Sequence, residues 1–260
     1  MCCGRALYMV RCTHEERTTD ERSTMPNREF ALVVDVETCG PINKPLVYDL
    51  GYAVIERRTG RIITSNSIVI GDIFHGENDL MRTAYYADKV PQYYRGIKSG
   101  EFAVMPLWTA WNEIRSVVKQ YGIKRIYAYN MAFDKRALNN TMQHVTGGKY
   151  SHFFPAKMQY CCIWNMACQT ILSQKRYRKF AEAHGLVSPA GNLRTSAEAA
   201  YAYLTNNPAY AEPHTGLADV HIEIEIMQMC LRQKKRTSEK IIPNPWKIPQ
   251  VRSSAQMSFA

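Results

Sequence analysis

The sequence has no long apolar run. No uninterrupted apolar stretch approaches the roughly 20 residues that a membrane-spanning helix requires. The N-terminal segment also has no apolar core of the signal-peptide kind, because Arg5, Arg11 and His14 interrupt it. These two absences argue against a spanning helix or a secretory leader, so we expect a cytoplasmic protein with no membrane partner.

The cysteines lack the regular spacing of a disulfide framework. Eight are present, at positions 2, 3, 12, 39, 161, 162, 168 and 230. A chain of 260 residues can bury a sufficient core without cross-links, so we expect free thiols.

Acidic residues are in the minority, and the net charge is +10. The stretch 232–260 holds seven basic residues and one acid, so much of the excess lies at the C-terminal end. A basic segment favours polyanions such as nucleic acid, because phosphate contacts release counterions. The alternative is a solvated tail that aids solubility.

The chain divides into three parts on composition and pattern. We expect a polar, mobile leader over 1–28, a folded domain over 29–231 and a basic C-terminal extension over 232–260. Strand-like runs cover 30–36, 46–56, 61–70 and 125–129, and the gaps between apolar residues predict a helix over 107–121. A further helix should begin after Asn130 and reach about His144, with others near 163–173, 176–184 and 195–205. This order predicts an α/β protein with a mixed sheet and helices on its faces.

Residues 71–104 do not fit this alternation. They contain several glycines and tyrosines, and we interpret them as an irregular insert with room for one short helix. Tyr85, Tyr86, Tyr93 and Tyr94 lie among basic residues in this insert. Such aromatics either stack the bases of a single strand or pack the insert onto the sheet.

Two carboxylates stand at the end of the first strand. Side chains alternate between the faces of a strand, so Asp35 and Glu37 project to the same side. Two acids this close repel each other unless a cation lies between them, and hard oxygen ligands suit Mg²⁺ or Mn²⁺. The alternative is a pair of solvated acids at a strand end.

A third acid, Asp134, follows the strand that ends near Tyr129 and lies in the first turn of a predicted helix. The carboxyl ends of strands are where sites gather in α/β proteins. A carboxylate in a first helical turn also complements the helix dipole, which is the alternative explanation.

The last candidates are His214 and Asp219, in the segment His-Thr-Gly-Leu-Ala-Asp. The residues around His214 favour a loop, and the segment that begins near Asp219 has a period that fits a strand or a helix. A histidine before a helix is often only a capping or surface group.

The three blocks, in this order and at these separations, resemble the exonuclease motifs of the DEDDh family of 3′–5′ exonucleases. The resemblance covers about residues 29–231. It implies a ribonuclease-H-like fold, with a mixed five-stranded sheet and helices on both faces, and it implies a helix over 217–231. It also implies that Asp35, Glu37, Asp134 and Asp219 are metal ligands for two divalent cations, and that His214 is the general base.

The resemblance further implies a metal-dependent exonuclease that releases nucleoside 5′-monophosphates from DNA or RNA 3′ ends. Val36, Thr38, Asn130 and Phe133 are candidates to contact the substrate, although Val36 and Phe133 could equally be core residues. The alternatives are a nucleic-acid-binding protein that keeps the fold without cutting, and a nuclease limited to very short oligonucleotides. The expected partner is a single-stranded 3′ end. The ending 256–260 partly resembles a sliding-clamp peptide, which would suggest a clamp or polymerase partner.

Overall fold

The central feature of the protein is one twisted sheet. The computed structural model describes residues 28–250. In that range the strands are β1 (Phe30–Cys39), β2 (Leu46–Glu56), β3 (Ile62–Ile70), β4 (Ala103–Met105), β5 (Arg125–Ala128) and β6 (Gln159–Cys162). Their order across the sheet is β4-β3-β2-β1-β5-β6. β1, β2 and β3 pair antiparallel, whereas the β1–β5, β5–β6 and β3–β4 pairs are parallel.

Helices cover both faces of this sheet. They are α1 (Gly71–Phe74), α2 (Asn78–Met81), α3 (Val90–Ser99), α4 (Leu107–Gln120), α5 (Met131–Val145), α6 (Ile163–Gln169), α7 (Lys175–Ala183), α8 (Ala197–Leu204) and α9 (Gly216–Leu231). None of the helices within residues 28–250 combines the length and apolar character needed to cross a membrane.

The central strand β1 explains why two helical layers are needed. Leu32 and Val34 belong to a core cluster on the face covered by α4 and α5, while Ala31 and Val33 belong to a second cluster on the face covered by α9. A strand buried on both faces reads as a continuous apolar run rather than an alternation. The predicted mixed sheet with helices on both faces is therefore confirmed.

The predicted number of five strands is wrong for the described residues, which form six. The additional strand is β4, which adds to the edge of the sheet by pairing Ile68 with Ala103 and Ile70 with Met105. Three residues are too short to show a period of two, so the sequence pattern gave no sign of this strand.

The insert 71–104 contains more helix than the sequence indicated. α3 begins at Val90, carries Pro91 in its first turn and ends at Ser99, and the φ of 82° at the following Gly100 is left-handed. Proline in a first turn and glycine just past the last turn are normal helix boundaries, so these residues delimit a helix instead of breaking one.

The other predicted helices are close to those observed. The helix predicted over 163–173 is interrupted at Thr170, where α6 gives way to a 3₁₀ turn over Ile171–Ser173. The ambiguous segment after Asp219 is helical, as the family resemblance implied. Within the described residues, Cys39, Cys161, Cys162, Cys168 and Cys230 are buried free thiols.

The described part of the C-terminal extension packs against the sheet. The Cys162 amide donates to the Glu239 carbonyl over 2.8 Å, and the Tyr127 hydroxyl donates to the Glu239 carboxylate over 2.8 Å. Arg57 forms an ion pair with the same carboxylate. The leader predicted over 1–28 (except Arg28) and the peptide 256–260 lie outside the described residues, and the three-part division remains a prediction.

Candidate active site

The site begins where β1 reaches its carboxyl end. Glu37 is 6% exposed and pairs across the sheet with Asp49 of β2, and a shift in register follows between Glu37 and Thr38. Asp35, two residues earlier, is half-buried on the same face of the strand. Such an irregularity bends a strand and commonly re-aims side chains beside active sites.

The third carboxylate lies on the helix that follows the neighbouring strand β5. Because β5 runs parallel to β1, the helix that follows it begins beside the end of β1. Asp134 lies in the first turn of that helix, α5, and is 3% exposed. Burial raises the pKa of its carboxyl group and the Val36 amide partly offsets that rise, so the start of α5 lies beside β1.

A close contact between two glycines brings the start of α9 to the same place. A Cβ added to Gly51 of β2 would lie 2.0 Å from the carbonyl carbon of Gly216, the first residue of α9. Only glycine lets the two backbones approach this closely. The contact places Asp219 next to Glu37 and directs the loop that carries His214 toward the sheet.

Asp49 holds the start of α9 and its neighbours in place through hydrogen bonds. Its buried carboxylate accepts hydrogen bonds from the Gly216 amide (2.9 Å), the Tyr93 hydroxyl (2.6 Å) and the Ser67 hydroxyl (3.0 Å). Three donors satisfy a buried acid that would otherwise be costly. Asp49 therefore joins β2, the insert and α9 at the base of the site.

All nine site residues predicted from the sequence line one cavity of about 520 Å³. They are Asp35, Val36, Glu37, Thr38, Asn130, Phe133, Asp134, His214 and Asp219. Glu37, His214 and Asp219 form the tightest group, in which one ligand atom of each lies within 4.8 Å of the others. Asp35 and Asp134 line the same cavity outside that tight group.

The carboxylates strongly perturb one another. Burial, together with the charge of Asp219, raises the pKa of Glu37 to about 9, and burial with the charge of Glu212 raises the pKa of Asp219 to about 8. Burial raises the pKa of Asp134 to about 7, and burial with the charge of Glu223 raises that of Asp35. Charged carboxylates are disfavoured here unless positive charge offsets them.

The residues fit a divalent-cation site. Asp219 Oδ1 is buried without a hydrogen-bond partner within residues 28–250, and the same is true of Glu223 Oε2. Buried carboxylate oxygens without donors are the hard ligands that Mg²⁺ and Mn²⁺ take. A cation between these groups would also remove the repulsion that raises their pKa values.

His214 enters the cavity from a strained turn. Its φ of 57° is left-handed, which is uncommon for a residue other than glycine. Burial raises the pKa of Asp219 and the His214 and Thr215 amides partly offset that rise, so the turn lies beside one of the acids. Burial lowers the pKa of His214, which favours the neutral imidazole that a general base requires.

The insert reaches the cavity through its tyrosines. The Tyr86 ring stacks on the His214 ring, with centroids 3.6 Å apart and planes 15° apart, and Tyr85 is 74% exposed at the rim. Tyr93 is fully buried and stacks on Phe102. Tyr93 therefore packs the insert onto the rest of the protein, whereas Tyr85 and Tyr86 line the cavity.

The candidate substrate contacts differ in how deeply they are buried. Val36 is 6% exposed and belongs to the core cluster, so it packs and lines the cavity at once. Phe133 is only partly buried, with the Arg136 guanidinium 5.5 Å from its ring centroid. Thr38 and Asn130 also line the cavity.

Sequence reasoning missed Glu223 and Asp49. Glu223 stands four residues after Asp219, so a helical reading of that segment puts both on one face. Asp49 gave no local signal, because its role depends on a contact with Gly216 far along the chain.

Comparison with known proteins finds similar solved structures among nucleases. A 3′-exonuclease, described by its 3′-end-specific recognition of a histone mRNA stem-loop, is 13% identical, with 83% of this chain and 88% of that chain covered and a TM-score of 0.48. The nuclease domain of 3′hExo, a DEDDh family member bound to rAMP, is 14% identical over 83% of this chain and 98% of that chain, with a TM-score of 0.42.

E. coli ExoI, in a zinc-bound complex with single-stranded DNA, is 13% identical, with a TM-score of 0.46. The alignment covers 77% of this chain and 40% of that one. No protein-family model and no curated protein matches the sequence. At these identities and TM-scores the chain is similar to these nucleases, and its membership of the DEDDh family stays a prediction.

Proposed function

We propose that this protein is a 3′–5′ exonuclease of the DEDDh type that hydrolyses nucleic acid with the help of two divalent cations. One observation carries the proposal. Carboxylates from three segments far apart in the sequence, β1, the start of α5 and the start of α9, line one cavity together with a histidine. A protein that only bound nucleic acid would have no need to bury these acids together.

In this proposal Asp35, Glu37, Asp134 and Asp219 hold Mg²⁺ or Mn²⁺. When bound, such ions supply charge for the phosphate oxygens and lower the pKa of a coordinated water. The carboxylates would hold the ions at the carboxyl end of β1, in the cavity where we expect a terminal phosphodiester to bind.

His214 would take the proton from the attacking water as the oxygen–phosphorus bond forms. The bond between phosphorus and the 3′ oxygen of the preceding nucleotide then breaks, and that oxygen takes a proton from solvent. The products are a nucleoside 5′-monophosphate and a strand shortened by one residue. General-base help of this kind contributes about 10²–10⁴-fold to a rate.

Val36, Thr38, Asn130 and Phe133 would contact the terminal nucleotide, because they line the cavity on the side of β1 and α5. A ring such as that of Phe133 offers a stacking surface that any base can use. Single-stranded 3′ ends are therefore the expected substrate. A clamp or polymerase partner stays a prediction, since peptide 256–260 lies outside the described residues.

The test is digestion of matched DNA and RNA strands labelled at the 3′ or the 5′ end, with Mg²⁺, with Mn²⁺ or with a chelator. We expect 3′ label to appear at once as mononucleotide and 5′ label to pass through a ladder of shortening strands, both only when metal is present. Binding without cleavage would favour the non-cutting protein. Cleavage of dinucleotides alone would favour a nuclease of very short oligonucleotides.

A further inference from the structure

Glu223 is a buried acid in the cavity that none of the three motifs includes. It lies on α9 one turn beyond Asp219, is 2% exposed and lines the same cavity. Its neighbours along the helix, Ile222 and Ile224, belong to the apolar core. A helix position this deep would ordinarily hold an apolar residue.

The surroundings of Glu223 do not satisfy its charge. Burial raises the pKa of its carboxyl group, the Tyr129 amide offsets only part of that rise, and Oε2 has no hydrogen-bond partner among the described residues. The ion pairs within residues 28–250 do not include it, so no lysine or arginine there offsets the charge. An isolated buried carboxylate is strongly unfavourable, so the Glu223 carboxyl group is either protonated or balanced by positive charge.

The charged groups that interact most strongly with Glu223 are the predicted acids of the site. Among the charged groups that act on Asp35, Glu223 has the largest effect, and among those that act on Glu223 the largest effect comes from Asp134. The charge of Glu223 therefore acts on the predicted acids that line the same cavity.

We propose that Glu223 is a fifth carboxylate of the divalent-cation site. The observation that points to a ligand is a buried, unpartnered Oε2 on a residue that lines the cavity. The inference rests on the proposed function, because it assumes that the four predicted acids hold cations.

A fifth carboxylate changes the charge balance of the site. Four carboxylates neutralise two divalent cations, and Glu223 adds one further negative charge. Cation affinity in oxygen-ligand sites rises with the number of charged ligands. Residues that support a metal from its immediate surroundings typically change affinity by about 10–100-fold when mutated. Glu223 should therefore tighten cation binding rather than take part in proton transfer.

The test is calorimetric titration of the full-length protein with Mn²⁺ in the absence of nucleic acid. Glu223→Gln keeps the shape of the side chain and removes its charge, and the weaker of the two dissociation constants should rise about 10–100-fold. The matched control is Glu225→Gln, an exposed acid two residues along the same helix, which should leave both constants within twofold of wild type. Unchanged Mn²⁺ affinity in Glu223→Gln would overturn the inference.

Asp35→Asn, titrated in parallel, separates this inference from the proposed function. If Asp35→Asn weakens binding and Glu223→Gln does not, Glu223 is no ligand but the cation site stands. If neither change weakens binding, the cation site itself is wrong. Melting in chelator checks that each variant folds. Should Glu223→Gln fail that check, Glu223→Asp, which retracts the charge by one methylene, should still raise the dissociation constant and shrink the melting shift that Mn²⁺ produces.

Discussion

The centre of the sheet and the insert between β3 and α4 contribute to the site in different ways. The centre, made of β1, β5, α5 and α9, is regular and buried, and it supplies every carboxylate of the predicted motifs. The insert is made of short helices and half-exposed turns, and it supplies aromatic rings and a hydroxyl. The centre therefore holds the groups proposed to carry out the reaction, and the insert holds groups that position them.

Two tyrosines connect the insert to the centre. Tyr93 donates to Asp49, which in turn accepts from the first amide of α9, and Tyr86 stacks on His214. The insert therefore contacts the site at the two points where α9 and its preceding loop are positioned. Changes in the centre should abolish activity, and changes in the insert should reduce activity or stability in graded steps.

The largest effect is expected for Asp35→Asn, in the centre. The change keeps the shape of the side chain but removes a charge that the proposed cations require, and losing several kcal/mol of charge stabilisation lowers the rate by about 10³-fold or more. Degradation of a labelled oligonucleotide by the purified variant measures this, with circular dichroism to show that it folds. Full activity in the folded variant would remove Asp35 from the site.

The next-largest effect is expected for His214→Ala, in the loop that precedes α9. The rate should fall by about 10²–10⁴-fold at neutral pH, because the general base is lost. In the wild type, burial lowers the pKa of His214, so activity should be lost on acidification only below the ordinary histidine value of about 6.5. A variant with the wild-type rate and the same pH profile would show that another group is the base.

Tyr93→Phe tests the first link between the insert and the centre. It removes one donor from the buried Asp49 carboxylate, so the free energy of unfolding should fall by about 1–3 kcal/mol. Denaturant unfolding measures this. Tyr94→Phe, a half-exposed neighbour on the same helix, is the control and should stay near the wild-type value. Equal stability in both variants would mean that the Tyr93 hydroxyl does not support Asp49.

The smallest effect is expected for Tyr86→Ala, at the second link. An aromatic pair contributes about 0.5–1.5 kcal/mol, so loss of the ring stacked on His214 should lower kcat by about 2–10-fold. Tyr86→Phe keeps the ring and should keep the rate. A loss of the same size in both variants would point to the hydroxyl instead of the stack, and a change in KM alone would point to substrate contact.

The difference between the two regions also explains which features the sequence could predict. β1 and α4 were evident because burial on two faces produces a continuous apolar run and burial on one face produces a helical period. Asp35, Glu37, Asp134 and Asp219 could be selected because they stand at the ends of such elements. In the insert, β4 is too short to show a period, and Pro91 and Gly100 delimit a helix although the same residue types are also typical of irregular chain.

The sequence by itself determined the mixed sheet, its two helical layers and the candidate residues, because apolar periodicity and short motifs are local properties of the chain. Only the tertiary structure decided that Glu223 shares the cavity, that Asp49 anchors α9 and that Tyr86 stacks on His214. These contacts join residues far apart in the chain. They depend on how closely two backbones approach, as at Gly51 and Gly216, and no local pattern encodes that distance.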